Sequence, residues 1–325
     1  MKRFISSLLL MFGKDFVRPP KETWTDDAKE MHAHKKTSEQ VAIRREAIKE
    51  EIASAHSSVK WKKRRWFSII IINLLFVLSF QFDIQLVEGA LTASRFVGFH
   101  MADLNSALQV TLAYKHMVIN LVIGTVTVFL IWWLLGGRTF CSWVCPYHLV
   151  SEIGEMLHLK LVAKGLIKDH PMDRRMRSVL YVVFALLAFI SGYTVFETIN
   201  PVGILSRAFT YGASLALIWV GVLFLIEVFY SRRFWCRYAC PIGLTYGLVG
   251  SISPMKISYN LENCLHEGEC RKVCLVPHVL DITKMGYADD TTISVGADCT
   301  RCGMCVDKCP TQALTFKIKG LDGML

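Results

Sequence analysis

Four apolar segments constrain this chain more than any other feature of its sequence. They cover residues 66–82, 117–135, 178–194 and 212–230. Each is close to the roughly 20 residues that a helix needs to cross the hydrocarbon core of a bilayer. Over the whole chain 53% of the residues are hydrophobic and the mean hydropathy is +0.37, which is too apolar for an ordinary soluble domain. The sequence therefore predicts an α-helical integral membrane protein with four transmembrane helices.

The distribution of basic residues predicts the orientation of these segments. Lysines and arginines crowd the stretch before the first segment, the loop between the second and third, and the stretch after the fourth. In contrast, loop 83–116 has only Arg95 and Lys115, and loop 200–211 has only Arg207. Short cytoplasmic loops retain positive charge, so we expect a multi-pass protein of the bacterial inner (cytoplasmic) membrane with both termini in the cytoplasm. The basic residues of the cytoplasmic loops account for the net charge of +10. No nucleic-acid partner is therefore expected.

The cysteines near the C-terminus have the spacing of iron–sulfur ligands. The chain has eleven cysteines, and seven of them lie between Cys264 and Cys309. The last four, spaced C-x2-C-x2-C-x3-C and followed by proline, are Cys299, Cys302, Cys305 and Cys309. In bacterial two-cluster ferredoxins the first three cysteines of such a run hold one cluster and the fourth holds the other. The run therefore predicts an α+β ferredoxin-like domain with a [4Fe–4S] cluster.

An incomplete copy of the same run lies upstream. Its three cysteines are Cys264, Cys270 and Cys274, and Glu267 occupies the position of the missing cysteine. By the crossover rule, Cys274 completes the ligands of the [4Fe–4S] cluster, whereas Cys264, Cys270 and Cys309 are left for a second cluster. Three outcomes are open for that second site: a [3Fe–4S] cluster, a [4Fe–4S] cluster whose fourth iron is capped by Glu267 or His266, or no cluster. A carboxylate is a harder ligand than a thiolate, so an iron held by Glu267 is expected to be labile.

Two further cysteine pairs follow the second and fourth apolar segments. Both have the form C-x3-C-P, and their members are Cys141 with Cys145 and Cys236 with Cys240. Residues four apart share one face of a helix, so each pair presents two sulfurs in one direction. Four converging cysteines can bind a metal or cluster, or cycle between dithiol and disulfide; alternatively, they are small apolar groups that pack a helix junction. The equivalent positions of the two pairs favour a redox or metal role and hence a further centre.

Together these motifs resemble the NapH family, the membrane quinol dehydrogenase subunits of periplasmic nitrate reductase systems. The resemblance rests on GRTFCSWVCPYHLVSE at 137–152, FWCRYACPIG at 234–243, Asn200-Pro201-Val202 and the double ferredoxin motif. It extends from about Lys60 to the C-terminus. The related NosH and NosR polyferredoxins of nitrous oxide reduction are similar in having twin C-x3-C-P motifs.

The resemblance implies a subunit that helps to oxidise menaquinol or ubiquinol. Its electrons would pass to a periplasmic NapG-like iron–sulfur subunit and then to a reductase of the nitrate or nitrous oxide type. The family's cluster ligands would fall on the seven cysteines from Cys264 to Cys309, and its paired motifs on the other four. Relatives normally have cysteine at the position of Glu267, which is why the second cluster is left open.

Quinol oxidation also requires a proton acceptor, and the sequence offers candidates near both membrane faces. Near the outer face these are Asp83, Glu88, His100, Asp103, His116 and Glu197, and near the inner face Tyr147, His148, Glu152 and Glu227. We take Glu197, Glu227, His116 and His148 as the leading candidates. No haem is expected, because there is no C-x-x-C-H motif and no pair of histidines within facing helices.

The predicted organisation has three parts. Residues 1–59 form a cytoplasmic polar extension, residues 60–250 the membrane domain with both C-x3-C-P motifs, and residues 251–325 the cytoplasmic ferredoxin-type domain. The leading hypothesis is an electron-transfer subunit of a quinol dehydrogenase. The alternative is a membrane polyferredoxin that supplies electrons for the assembly or maturation of a metalloenzyme. Quinol-dependent reduction separates the two.

Overall fold

The computed structural model of the protein describes residues 2–37, 39, 41–43, 46, 48, 49, 59–83, 87–96 and 98–319. Helices make up most of this part of the chain, and two small antiparallel sheets complete it. Two short helices come first, α1 (Lys2–Met11) and α2 (Asp26–His34). The side chain of Thr25 caps α2 by accepting a hydrogen bond from the amide of Ala28, which satisfies one of the free N–H groups at the helix start.

All four apolar segments form helices. These are α3 (Lys60–Gln81), α5 (Ile119–Leu135), α8 (Arg175–Ser191) and α11 (Leu217–Phe229). Among the described helices, α3 alone is long and apolar enough to cross a bilayer by itself. Helices α5 and α8 have 17 residues and α11 has 13, fewer than the roughly 20 that a spanning helix needs. The helical architecture is confirmed, whereas helix length does not establish four transmembrane spans.

Large apolar side chains project from the outer faces of these helices. Ile70 on α3, Ile123 on α5, Val182 on α8 and Ile218 on α11 are all exposed. Soluble monomeric proteins rarely expose extended apolar surfaces of this kind. The exposed side chains on four helices therefore mark a surface that is suited to lipid.

Two shorter helices lie between the long ones, and each begins at a side-chain cap. Strands β1 (Val87–Ala90), β2 (Ala93–Phe96) and β3 (Phe99–Ala102) form an antiparallel meander that leads into α4 (Leu104–Tyr114). In the second half, α9 (Val195–Ile199) leads into α10 (Pro201–Tyr211). Asp103 caps α4 and Asn200 caps α10, each by accepting hydrogen bonds from backbone amides in the first turn.

The helical part that precedes the C-terminal domain is an internal repeat whose halves exchange helices. Each half consists of a long helix, a capped short helix, an apolar helix, an R-x-x-C-x3-C-P motif and a helix that starts at the motif's proline. The first motif includes α6 (Thr139–Trp143) and continues into α7 (Pro146–Ala163); the second includes a π helix (Trp235–Ala239) and continues into α12 (Pro241–Ile252). Helix α4 packs against α8 and α12 of the second half, whereas α10 packs against α3 and α7 of the first. This exchange interlocks the two halves.

Two glycines place the first motif directly against α12. Gly136 has a φ of +107° and ends α5 in the left-handed conformation that glycine adopts without strain. At Gly137 a Cβ atom would collide with the backbone of Tyr246 and Gly250 on α12. The chain can therefore turn into the motif and approach α12 only because neither residue has a side chain.

The C-terminal domain has the expected α+β ferredoxin-like construction. Strand β4 (Met255–Asn260) lies between β5 (Thr292–Ser294) and β6 (Leu314–Ile318), both antiparallel to it. Helices α13 (Glu269–Val273) and α14 (Met304–Asp307) each follow part of a cysteine run, and a 3-10 helix (Pro277–Thr283) lies between them. Ile257, Tyr259 and Leu314 are buried in one core with Cys299, Cys302 and Cys305. Burial of this apolar surface stabilises the small domain around its cysteines.

The described part of the N-terminal extension packs against this domain. Arg3 on α1 forms salt bridges with Asp289 and Asp290. Ser7 accepts a hydrogen bond from the amide of Ala297 at 2.7 Å. On α2, the Nε2 atom of buried His32 lies 2.9 Å from the carbonyl oxygen of Ala288. Residues 51–58 of the predicted extension lie outside the described residues.

Candidate functional site

The structure groups Cys274, Cys299, Cys302 and Cys305 in one apolar pocket, which we name the first cluster site. Cys299, Cys302 and Cys305 are buried, and Cys274 packs against the same core. Cys305 interacts electrostatically with each of the other three. The backbone amide of Arg301 points at the Cys299 sulfur, 3.4 Å away. Such N–H groups stabilise the sulfur charge of a cluster.

Burial changes the protonation equilibrium of these thiols. It raises the pKa of Cys274 and of Cys305 well above the ordinary value for cysteine, and the neighbouring cysteines raise both further. As free side chains they are therefore neutral thiols. A bound metal deprotonates coordinating thiols, so four thiols in one apolar core, one of them facing a backbone amide, have the chemistry of a [4Fe–4S] site. Among the described residues, no group of three or more His, Cys, Asp or Glu side chains is placed to hold a single metal ion.

A second group lies at a cavity of about 30 Å³ near the surface of the domain. This second cluster site is lined by Cys264, Cys270, Cys309, His266 and Glu267, together with neighbouring loop residues. The amides of His266 and Ala313 point at the sulfurs of Cys264 and Cys309, at 3.3 and 3.2 Å. Three thiols, one carboxylate and one imidazole therefore share the same space, and all are partly exposed.

The contacts of His266 bear on which group could complete this second site. Its Nδ1 atom lies 2.8 Å from the carbonyl oxygen of Thr283. A carbonyl can only accept, so Nδ1 carries the proton in this arrangement and Nε2 holds the lone pair of the neutral ring. Both the Glu267 carboxylate and the His266 imidazole are thus chemically able to act as a ligand here.

Replacing Glu267 with cysteine is expected to complete the second run. The Glu267→Cys variant should show two [4Fe–4S] clusters by EPR and a slower loss of iron to a chelator than the wild type, because a thiolate is the softer ligand. Glu262→Cys, at an exposed position outside this cavity, is the matched control and should leave the cluster type unchanged. An equal effect of both substitutions would contradict a ligand position at 267.

The two C-x3-C-P motifs meet at a cavity of about 100 Å³, which we name the cysteine chamber. Its walls include Cys141, Cys145, Cys236 and Cys240, all present as free thiols. Cys145 interacts electrostatically with the other three. Cys236 lies on the π helix, and such local widenings of a helix occur frequently at functional sites. The internal repeat thus places two sulfurs from each half around one space.

Arginines surround the chamber. Arg138 and Arg233 occupy the same position in the two motifs, three residues before the first cysteine, and both are buried. Arg233 forms a salt bridge with Glu155 on α7, and Arg177 on α8 also lines the chamber. Buried positive charge favours an anionic occupant. Four thiolates around a metal or cluster would meet that requirement.

A buried ionic network connects the chamber to the first cluster site. The Asp298 carboxylate accepts hydrogen bonds from Arg138 at 2.5 Å and from Arg177 at 2.8 Å, and His278 Nε2 lies 2.9 Å from its other oxygen. Burial alone would raise the pKa of Asp298, but Arg138 and Arg177 hold it well below its ordinary value. Asp298 directly precedes the cluster-site residue Cys299. The network therefore fixes the loop of the first cluster site to Arg138 of the first motif and to Arg177 on α8.

The same loop contacts the first motif directly. Ser142 donates a hydrogen bond to the carbonyl of Thr300 at 2.7 Å, and Trp143 donates to the carbonyl of Arg301 at 3.2 Å. Arg301 in turn donates to the carbonyls of Cys299 and Gly250. The loop that carries Cys299 and Cys302 thus lies on the helix that carries Cys141. The chamber and the first cluster site are therefore neighbours.

Asp298→Asn should destabilise this junction strongly. It leaves two buried arginines without a counter-charge, and removing one partner of a buried ion pair costs about 3–5 kcal/mol. Since the folded-state pKa is depressed, the wild-type carboxylate stabilises the fold fully above its unfolded pKa of about 3.9. The stability that the carboxylate contributes is lost only as the pH falls through its lower folded-state pKa. Thermal unfolding in detergent at pH 7 measures the effect, with Asp27→Asn, at an exposed position on α2, as the control. An equal melting temperature for both variants would contradict this role.

The four leading quinol candidates lie in different surroundings. His148 is buried, and its Nε2 atom accepts a hydrogen bond from Arg65 at 2.7 Å; burial and the neighbouring arginines lower the pKa of His148 well below its ordinary value. Glu227 is buried and accepts a hydrogen bond from the Trp235 amide at 3.2 Å. Glu197 is partly exposed and accepts a hydrogen bond from Ser106. His116 is exposed. His148 belongs to a buried network with Arg65 and Glu152, whereas the described contacts of the two glutamates are with Ser106 and the Trp235 amide.

The sequence interpretation missed the ionic network and Tyr246. Arg138 pairs with Asp298 across 160 residues of sequence, so no local pattern indicates the contact. The arginine three residues before each cysteine pair was the available signal. Tyr246 is fully buried on α12 and donates a hydrogen bond to Asp103 at 2.7 Å. Its position in an apolar helix gave no sign of this contact.

These features define a class: ferredoxin-type iron–sulfur proteins that transfer electrons. Two family models described as 4Fe-4S binding domains match the chain, Fer4_5 at residues 118–164 and 213–260 and Fer4 at residues 297–315. The two Fer4_5 matches contain one C-x3-C-P motif each, in agreement with the internal repeat. The chain belongs to the family of ferredoxin-type proteins that includes NapH and MauN.

Several relatives support this membership over most of their length. The methylamine utilization ferredoxin-type protein MauN of Methylobacillus flagellatus is 31% identical over 79% of this chain and 91% of its own. The ferredoxin-type protein NapH of Haemophilus influenzae is 31% identical over 64% of this chain and 72% of its own. MauN of Methylorubrum extorquens is 29% identical over 80% and 89%. No solved structure matches the chain significantly. The resemblance to NapH is confirmed, and the MauN relatives add a branch that the motifs had not indicated.

Proposed function

We propose that the protein is the membrane electron-transfer subunit of a quinol dehydrogenase. It takes electrons from menaquinol or ubiquinol and passes them through iron–sulfur centres toward a periplasmic iron–sulfur subunit similar to NapG. A reductase of the nitrate or nitrous oxide type is the final acceptor. The observation that carries this proposal is the direct contact of the cysteine chamber, within the membrane part, with the loop of the first cluster site.

The exposed apolar side chains on α3, α5, α8 and α11 support a membrane domain over residues 60–250. In this proposal all four helices span the bilayer, and residues flanking the shorter ones complete the crossing. The protein lies in the inner membrane, and its basic loops keep both termini in the cytoplasm. The ferredoxin-type domain, over residues 251–325, is then also cytoplasmic. Residues 1–59 belong to the cytoplasmic side, where α1 and α2 pack on that domain.

Three sites would form the electron relay. The first cluster site is assigned Cys274, Cys299, Cys302 and Cys305, and the second is assigned Cys264, Cys270, Cys309 and Glu267. The chamber cysteines Cys141, Cys145, Cys236 and Cys240 would hold a further centre. Bound iron–sulfur clusters would supply one-electron chemistry at these sites. The hydrogen bonds from Ser142 and Trp143 hold the chamber against the first cluster site. They keep the distance between the two sites short.

The chain's own groups would have defined tasks in this relay. Buried arginines around the chamber balance negative charge on its sulfurs, and backbone amides do the same at both cluster sites. The network around Asp298 fixes the relative position of the two neighbouring sites. Glu197 and Glu227, rather than His116 or His148, are the groups suited to accept quinol protons, because the ring nitrogen of His148 that could take a proton is already bonded to Arg65.

Quinol-driven reduction of the clusters tests this function. The full-length protein, purified anaerobically in detergent or nanodiscs, is mixed with a water-soluble menaquinol analogue, and the clusters are followed by absorbance and EPR. We expect reduction to an extent that depends on the quinol-to-quinone ratio. Clusters that dithionite reduces but quinol leaves oxidised would contradict the proposal and would favour a polyferredoxin that serves metalloenzyme assembly.

A further inference from the structure

The internal repeat allows Asp103 to be compared with Asn200, the residue at the equivalent position in the second half. Asp103 caps α4 and Asn200 caps the equivalent helix α10, and each accepts a hydrogen bond from the amide two residues later, at 3.0 and 3.1 Å. An asparagine therefore meets the capping requirement in this fold. Asp103 is nevertheless a carboxylate, and it is 4% exposed. Burying a charge without a cationic partner is costly, so Asp103 needs a reason beyond capping.

Asp103 lies in the middle of a chain of hydrogen-bonding groups. Its Oδ1 atom accepts from the Tyr246 hydroxyl at 2.7 Å, and its Oδ2 atom lies 3.4 Å from the Ser106 hydroxyl. That hydroxyl lies 2.5 Å from Oε1 of Glu197. Ser106 has a single hydroxyl proton for two carboxyl groups, so both contacts are complete only when one carboxyl group is protonated. The geometry therefore accommodates one shared proton.

The two ends of this chain lie in different surroundings. Tyr246 is fully buried, and its ring stacks on that of Phe140 with the centroids 4.9 Å apart. Phe140 lines the cysteine chamber. At the other end, Glu197 is partly exposed and follows the third apolar helix. Burial raises the pKa of both Asp103 and Glu197, in the direction that favours the binding of the shared proton by the pair.

We propose that Tyr246, Asp103, Ser106 and Glu197 form a proton path from the neighbourhood of the cysteine chamber to the outer surface. This inference rests on the proposed quinol dehydrogenase function. Oxidation of one quinol to quinone releases two electrons and two protons; the electrons pass singly to the iron–sulfur centres, and each proton passes through Tyr246 to the carboxyl pair. Glu197 then releases the proton to water on the outer side, and the pair is ready for the next.

Three variants interrupt the path with little change of shape. Asp103→Asn keeps the cap, as Asn200 does in the second half, but cannot carry a proton. Tyr246→Phe keeps the stacking on Phe140 and removes the hydroxyl. Glu197→Gln removes the exit. Glu88→Gln, an exposed carboxylate on β1, is the matched control.

Stopped-flow reduction of the clusters in the full-length protein separates proton transfer from structure. Loss of a positioned proton acceptor slows proton-coupled steps by roughly 10²–10⁴-fold. We expect reduction by the menaquinol analogue to slow by about this factor in the three variants, with a solvent deuterium isotope effect, whereas reduction by dithionite and iron content stay at wild-type levels. Glu88→Gln should behave as the wild type.

The outcomes distinguish this path from the proposed function. Wild-type rates with quinol in Asp103→Asn and Tyr246→Phe would overturn the path and leave the quinol dehydrogenase intact. Slow reduction in Glu227→Gln alone would also overturn it, by placing the proton acceptor on the inner side. Equal slowing with quinol and dithionite would show a structural role instead. A wild-type protein that quinol does not reduce would refute the function itself.

Discussion

Cys302→Ser should remove the cluster of the first site and abolish electron transfer. Cys302 is 5% exposed and lies with Cys274, Cys299 and Cys305 in an apolar core. A serine oxygen is a harder ligand than a thiolate, so the site would lose one of its four thiolate ligands. Iron analysis should show the loss of about one cluster, and quinol oxidation coupled to an artificial acceptor should fall to background. Because the substitution leaves the apolar helices unchanged, membrane insertion should be unchanged.

Cys309→Ser is the matched control for this prediction. Cys309 belongs to the same run but lies at the second site with Cys264 and Cys270. The variant should therefore keep the EPR signal of the first cluster and lose any signal of the second. If Cys302→Ser and Cys309→Ser removed the same cluster, the crossover arrangement of the ligands would be wrong.

Replacing one cysteine of each chamber pair should have the second large effect. We expect Cys141→Ser combined with Cys236→Ser to reduce quinol-driven reduction of the ferredoxin-type clusters to near background. Both clusters should remain, since neither residue lies at a cluster site, and dithionite should still reduce them. Stopped-flow absorbance and iron analysis measure the two quantities.

Tyr238→Phe is the control. It changes the wall of the cysteine chamber and leaves all four cysteines in place. Tyr238 is buried and lines the same cavity, so the variant should keep wild-type kinetics. Wild-type kinetics in the double cysteine variant would instead show that the four thiols only pack a helix junction. Formation of a disulfide in the oxidised wild type, detected by thiol labelling, would favour a dithiol relay over a bound centre.

The sequence was most informative where a local pattern has a single physical explanation. Hydrophobic runs located the four apolar helices to within about six residues at each end, because apolar side chains in such runs must face lipid or a core. The C-x2-C-x2-C-x3-C spacing located the ferredoxin-type domain, because so few folds hold thiolates that close together. The same spacing assigned Cys274 to the run of Cys299, and the structure places the two in one pocket.

What the sequence could not supply depends on long-range contacts. Helix α4 contacts α12, and Tyr246 meets Asp103 across 143 residues. Their register depends on the exchange of helices between the halves, which leaves no periodic signal. The segment 83–116 read as an outer loop, whereas it contains a three-stranded sheet and a capped helix. Arg177 and Asp298 are 121 residues apart, so their pairing appears only once the ferredoxin-type domain is in place.

EPR spectroscopy with iron counting, on anaerobically purified full-length protein before and after the addition of menaquinol, is the direct test of a quinol-linked iron–sulfur relay. We predict iron in more than one cluster as isolated, and the appearance of reduced [4Fe–4S] signals when menaquinol is added. A [3Fe–4S] signal in the oxidised protein would identify the cluster beside Glu267. Clusters that remain oxidised in excess menaquinol would contradict the quinol-linked relay, and a protein without iron would contradict the whole account.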